Sequence, residues 1–421
     1  MIKTVERRRL DNGLRIAVAP IAELRTTAVL LAVEAGQWFE PPDRAGVARL
    51  TAQTMLRGSE QRDANAWADA IDALGAVARL DVGSHAAVFS AQCLAGDLAD
   101  LLGLIAEALC GPALRPDDLE FVRAQTLAQL DRDERDTRAV VDRVWRELVY
   151  PRSHPFHSPP IGDARAVHEA TVDDIREYHA GAIRPDGALL VVAGATTADA
   201  VAAAASRSFG GWRGSRGRER RAIPDVALAA TARRIEIVPD KTQCDVIIGW
   251  PGIPRTDPRF VAARVTNMVY AADTFASRAG NIIRDQLGLA YYVFSGMGSS
   301  RGQSPWVVRM GVNPGNVRRA VEVALEELRK VTVGEIADDD LALAKDKLVG
   351  ELDVALESPA GVAGMVLEAE LFDLGEDHFE RYPKALLAVT KEQVQQTALA
   401  LIPPERFAMV VAGPPLPESI P

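Results

Sequence analysis

The sequence predicts an α+β protein: two homologous α/β sandwich halves in tandem, each an antiparallel sheet with helices packed on one face. Three observations predict this. Short apolar strand-like runs cluster apart from long amphipathic stretches, the pattern of helices segregated to one side of a sheet. Two segments, TVDDIREYHAGAIRPDGALLVVAG (Thr171 to Gly194) and TKEQVQQTALALIPPERFAMVVAG (Thr390 to Gly413), align without a gap at a constant offset of 219 residues in a chain of 421. An offset near half the length implies two copies of one unit, since solenoid repeats run to about 20–50 residues. Finally, the Gly/Arg-rich stretch GGWRGSRGRERR (Gly210 to Arg221) falls between the copies and reads as a linker. The expected organisation is therefore an N-terminal domain over 1–212, a linker over 213–225 and a C-terminal domain over 226–421.

The elements follow in order. The Asn12-Gly13 pair in LDNGLRIAVAP marks a hairpin turn into a strand ending near Pro20. TTAVLLAVEAG (Thr26 to Gly36) is a second strand. A helix is expected over 43–57, and Asp63 caps another running to about Leu74. Strands near Ala76–Asp81 and His85–Ala91 precede helices over roughly 95–109, 116–135 and 138–148. In each repeated segment a threonine N-cap opens an amphipathic helix, a proline ends it, and a buried strand closes the unit. In the second half, strands are expected near Arg234–Val238, Asp245–Trp250, Ala290–Ser295 and Trp306–Val312. Helices are expected over 257–275, 315–330 and 337–356.

Composition narrows the function classes. Apolar residues make up 48% of the chain and charged residues 25%, as in ordinary globular proteins. The net charge of −10 argues against nucleic acid or an anionic membrane as the main partner. The longest apolar runs, such as AVLLAV (Ala28 to Val33), are far too short to cross a bilayer. The start, MIKTVERRRLDNG, lacks the apolar core of a secretion signal, so the expected location is cytoplasmic, or periplasmic if a leader has been removed. Cys93, Cys110 and Cys244 form no CxxC pair and read as buried free thiols.

One stretch reads like a helix built to hold a metal whose ligands are missing: GVARLTAQTMLRGS, Gly46 to Ser59. Positions 49 and 53 lie four apart on one helix face, as two histidine ligands would. Arg49 is permanently cationic and repels a metal ion. Gln53 is a neutral amide, a poor zinc ligand. Ala52 cannot act as a base that activates water. In the other half, NIIRDQLGLAYYVFSG (Asn281 to Gly296) sets a guanidinium and a phenol seven residues apart, at Arg284 and Tyr291. Such a pair can stabilise the oxyanion that forms when an amide is attacked. HPFH (His154 to His157) has close histidine spacing but sits in a proline-rich loop without a carboxylate partner.

These two motifs resemble those of the M16 family of zinc peptidases, the pitrilysin-like group that includes mitochondrial processing peptidase. The family frame is G-[LV]-A-H-x-x-E-H-x-L-x-K-G-[ST]. Gly46, Val47, Ala48, Gly58 and Ser59 fit it, with Arg57 in place of lysine. The histidines fall on Arg49 and Gln53, the glutamate on Ala52, and the third ligand, from a later helix, on Gln129 in TLAQL. The family's C-terminal pattern, L-R-x-x-x-G-x-x-Y-x-V-x-S, places its arginine and tyrosine on Arg284 and Tyr291.

The resemblance implies a LuxS/MPP-like fold and a non-catalytic subunit that binds no cofactor of its own. Zinc would sit in a homologous partner subunit with an intact HxxEH, and Arg284 and Tyr291 would complete that partner's active site. The substrate would be an unfolded or short peptide, which can add to a sheet edge as an extra strand. No nucleic-acid or membrane partner is expected. The alternative from another class is a structural core protein like those of the respiratory bc1 complex, which share the fold and have degenerate zinc sites.

Overall fold

The computed structural model describes residues 4–214 and 223–420. Among the described residues, eleven strands form two sheets. In the first, β1 (Glu6–Arg9), β2 (Arg15–Pro20), β3 (Thr26–Val33), β4 (Val77–Val82), β5 (Ala87–Leu94) and β6 (Leu189–Gly194) lie in the order β1-β2-β6-β3-β5-β4. In the second, β7 (Ala232–Ile237), β8 (Cys244–Pro251), β9 (Ala290–Met297), β10 (Pro305–Val312) and β11 (Ala408–Gly413) lie in the order β7-β11-β8-β10-β9. Apart from the extra edge strand β1 the two orders coincide. The α+β class and the doubled sandwich follow the sequence reading. Each sheet, however, is mixed rather than antiparallel: β2 runs parallel to β6, and β7 to β11. A strand that closes each unit after a helix returns beside the first long strand, and that crossover is what makes the pair parallel.

The sequence repeat is a structural repeat. Thr171 and Thr390 both form capping boxes, with Asp174 and Gln393 as their third residues, over Val172–Ala182 and Lys391–Leu401. VVAG forms the ends of β6 and β11 in turn. Both strands are buried at every position. Residues of alternate parity on a strand point to opposite faces, so each sheet must be covered on two sides, not one.

In the second unit the cover is visible residue by residue. Val246, Ile248, Val308, Met409 and Val411 face one core, with Phe260, Val321 and Leu328. Ile247, Val307, Ala408 and Val410 face another, with Val140, Val144 and Trp145 of the helix Thr137–Val149. The Trp145 indole donates to the Ala408 carbonyl at 3.0 Å. Gly249 leaves room for that ring, since a Cβ there would lie 2.7 Å from it. Polar bonds fasten the same helix. Asp142 accepts from Arg146 at 2.7 Å and from Arg309 of β10 at 2.6 Å. Burial pushes the Asp142 carboxyl up, but the two guanidinium groups outweigh it and hold the group below the usual range. Asp245 accepts from Thr137 and from the Tyr292 hydroxyl.

In the first unit the corresponding cover is the helix Pro359–Leu371, which lies against β3 and β6. Its buried residues are Val362, Ala363, Val366 and Ala369, and the strands below offer small side chains such as Ala28, Ala32 and Ala193. The compact units accordingly depart from the halves 1–212 and 226–421. One comprises Met1–Leu130, Pro160–Ala222 and Asp353–Glu376; the other Asp131–Pro159, Ile223–Leu352 and Asp377–Pro421. Each takes its second cover from the other half of the sequence. The expected linker lies mostly at 215–222, outside the described residues. Among the described residues no helix is long and apolar enough to cross a membrane. Cys93 and Cys244 are buried free thiols, whereas Cys110 is half-buried.

A fragment ending at residue 212 lacks Pro359–Leu371. It is expected to bind a hydrophobic dye and to lose cooperative urea unfolding, while the full chain does neither; a cooperative, dye-silent fragment would show that the second cover is dispensable.

Candidate functional site

The frame helix spans Val47–Met55. Gly46 precedes it with φ of +103°, where a Cβ would lie 2.9 Å from the Ile161 carbonyl oxygen. A residue there must therefore be glycine. Because Gly46 has no capping side chain, Glu40 caps the helix from outside. Its Oε1 accepts from Gly46 N at 3.0 Å and Ala48 N at 2.9 Å. Burial pushes the Glu40 carboxyl up to about 8, against the pull of those two N–H groups. Both bonds fall on one oxygen, so the other can carry a proton without disturbing the cap. Beyond the helix, Gly58 turns at φ of +124°, and the Ser59 hydroxyl accepts from Gln61 N and Arg62 N and donates to Glu107. The retained frame residues thus do folding work.

The four ligand positions do something else. Ala52 is 3% exposed and packs in the core. Gln53 donates from Nε2 to the Leu80 carbonyl of β4 at 3.1 Å. Arg49 is half-buried, and its Nε has no hydrogen-bond partner among the described residues. Gln129 sits half-buried on Pro116–Asp133, on the face that carries Val122 and Thr126. Among the described residues no group of three or more His, Cys, Asp or Glu could hold a metal ion. A cation, a methyl group and two amides do not make the donor set that zinc requires. HPFH is likewise committed to the fold. His154 stacks on Tyr150 with ring centroids 4.5 Å apart, its Nδ1 accepts from Phe156 N, and its Nε2 meets the Pro224 carbonyl.

Arg284 lies in a π-helical turn, Asn281–Gln286, a local widening often found at functional sites. Its Nε donates to the backbone carbonyl of Tyr291 at 3.1 Å, and Nη1 pairs with Asp285 at 2.6 Å. The guanidinium also stacks on Phe275, 4.7 Å from the ring centre. The motif's two residues are therefore joined, though through the tyrosine's backbone. The Tyr291 side chain is 77% exposed at the start of edge strand β9, and Phe275 is 66% exposed. Sequence reasoning did not single out Glu40, Asp142, Asp245 or Asn267. Only Glu40 left a signal, an acidic residue six positions before the frame glycine.

A doubled α+β sandwich with the frame of a metallopeptidase helix, and no zinc donor at the four ligand positions, defines the class: a peptidase-like chain. Comparison with known proteins gives the family. Residues 15–151 match the model described as insulinase, peptidase family M16, and residues 169–348 match the M16 inactive domain. The chain belongs to peptidase family M16. It is 24% identical over 417 residues to an uncharacterized zinc protease of Streptomyces coelicolor, covering 98% of this chain and 90% of that one. It is 20% identical over 366 residues to the beta subunit of the mitochondrial-processing peptidase of Saccharomyces cerevisiae, covering 84% and 79%. Among solved structures it shares its fold with a peptidase M16 inactive domain from Pseudomonas fluorescens, at a TM-score of 0.92, 20% identity and 99% coverage of both chains. A chain of Complex III2 from Candida albicans matches at a TM-score of 0.80 and 14% identity, covering 97% of this chain and 96% of that one.

The raised Glu40 carboxyl makes a pH prediction. The folded state holds this proton up to about pH 8, while the unfolded chain releases it near 4.5. Between those values the folded state binds more protons, so this group's contribution falls as pH rises. Glu40→Gln keeps the accepting oxygen and removes the titration. Urea-unfolding free energies of the variant are expected to decline less between pH 5 and pH 8 than those of the parent; parallel pH profiles would refute the assignment.

Proposed function

We propose that this chain is the non-catalytic subunit of a heterodimeric zinc-dependent endopeptidase that processes or degrades peptides. The observation behind the reading is an asymmetry. Arg49, Ala52, Gln53 and Gln129 cannot hold zinc, while Arg284 remains as a half-buried guanidinium in a π-helical turn beside the exposed phenol of Tyr291 at the start of β9. A drifting relic has no reason to keep one half-site. A second M16 chain with an intact HxxEH would bring the zinc and the base. Arg284 and Tyr291 would then donate hydrogen bonds to the carbonyl oxygens of the bound peptide, and stabilise the oxygen that becomes negative as the amide is attacked. Stacking on Phe275 and the bonds to Tyr291 and Asp285 restrain the guanidinium, so part of its ordering is complete before substrate arrives.

A structural core protein is the second reading, and the fold shared with a Complex III2 chain favours it. That role gives Tyr291 no work, whereas the heterodimer does.

Reconstitution separates the two. The isolated chain is expected to bind no stoichiometric zinc and to cleave no peptide, and to support cleavage when mixed with a zinc-bearing M16 subunit. In that mixture Tyr291→Phe or Arg284→Ala should lower kcat/KM by roughly 100-fold, the usual cost of losing one oxyanion donor. Unchanged kcat/KM for both variants would refute the in-trans role, and one zinc per isolated chain would refute the non-catalytic reading.

A further inference from the structure

Strand addition requires an open sheet edge; the edges are β1 and β4 in the first sheet and β7 and β9 in the second, and β4 and β9 are the ones whose carbonyls are reached by side chains of a neighbouring helix or turn. At β4 the direction of each backbone group follows from the hairpin. Gly83 N donates to the Ala86 carbonyl, and the register runs on through Val82 opposite Ala87 and Leu80 opposite Phe89. Hydrogen-bonded and non-bonded pairs alternate in an antiparallel ladder. Ala78, Leu80 and Val82 therefore point their N–H and C=O groups outward, and the middle carbonyl is the one that Gln53 occupies at 3.1 Å.

The second unit repeats the contact. Asn267, on the helix Phe260–Tyr270, donates from Nδ2 to the Ser295 carbonyl of β9 at 3.3 Å. The two amide contacts bridge nearly the same sequence span, 27 residues for Gln53 to Leu80 and 28 for Asn267 to Ser295. In each unit the helix follows the long central strand and precedes the edge hairpin. Gln53 and Asn267 thus hold equivalent places. At β9 the closure extends further. Thr274 donates to the Val293 carbonyl, Arg284 to that of Tyr291, and Ser295 N is taken by the Ala271 carbonyl.

We propose that Gln53 is an edge lock: its carboxamide, standing at a metal-ligand position of the frame, closes β4 to extended peptides. Among the described residues the lock leaves β1 and β7 as the edges without such a contact, and it bars a peptide from the edge beside the frame helix. This goes beyond the role given to Arg284 and Tyr291 and uses only the isolated chain, so it stands or falls apart from reconstituted activity.

The test is binding of a fluorescein-labelled decapeptide of alternating valine and threonine, flanked by lysines, to the full chain. Gln53→Ala frees one edge carbonyl, and Gln53→Leu does so while keeping side-chain bulk. Both are expected to bind the probe about 3- to 10-fold more tightly than the parent, the effect of one added backbone hydrogen bond. Hydrogen exchange should then show new protection at the amides of Ala78, Leu80 and Val82 in the variants alone. Equal affinity for parent and variants, no binding by any of them, or protection confined to other strands overturns the lock.

Discussion

Everything in this molecule answers to one constraint: β6 and β11 are buried at every residue, so neither sheet can leave a face to water. Burying one face of a sheet under its own helices is routine. Burying the second requires another helix, and the sequence takes it from the far half each time. The two solutions differ in chemistry. Thr137–Val149 is amphipathic, so it brings valines and Trp145 to the sheet and fixes its polar side through Asp142, Arg146 and Arg309. Pro359–Leu371 brings small residues to alanine-rich strands at close approach, and Glu370 near its end accepts from Arg7 of β1 at 2.7 Å. The charged cluster around Asp142 and Asp245 is thus explained by the cover it holds, not by catalysis.

The same separation of duties explains how the frame of a metal helix survives without its ligands. Gly46, Gly58 and Ser59 are tied to the backbone geometry at the two ends of the helix, and Glu40 supplies the cap that Gly46 cannot. Replacing any of them disturbs the fold. Positions 49, 52, 53 and 129 carry no such duty, because an ion's ligands are chosen for the ion. Without ligand duty, those positions can hold a core methyl at Ala52 or an amide contact at Gln53. A frame without ligands is therefore the expected remainder where folding constraints persist and coordination constraints do not.

Most of the fold was legible because its signals are local. The threonine caps, the prolines after them and the two VVAG strands placed both copies correctly, and the Asn12-Gly13 turn placed the first hairpin. Pro359–Leu371 escaped because PAGVAGMVLEAEL has no apolar stripe; its small residues lie all round the helix. The exchange of covers escaped for a deeper reason, since nothing in a segment's own periodicity says which sheet it will lie on. Spacing paired Arg284 with Tyr291 but did not say how they meet. A π-helical turn leaves no pattern in sequence, and it is from such a turn that Arg284 donates to the Tyr291 carbonyl.

That contact also ranks the two residues as reporters of function. Arg284 stacks on Phe275, pairs with Asp285 and closes an edge carbonyl of β9, so its loss changes the surface as well as any chemistry. Tyr291 holds the strand only through its backbone, and its exposed ring has no duty in the fold that the structure reveals. Removing one hydroxyl from it leaves every described contact in place. A large effect of Tyr291→Phe on a reconstituted enzyme therefore has one reading, a donor aimed at something outside this chain, whereas an effect of Arg284→Ala has two. The tyrosine, the less embedded of the pair, is the sharper witness to why the half-site persists.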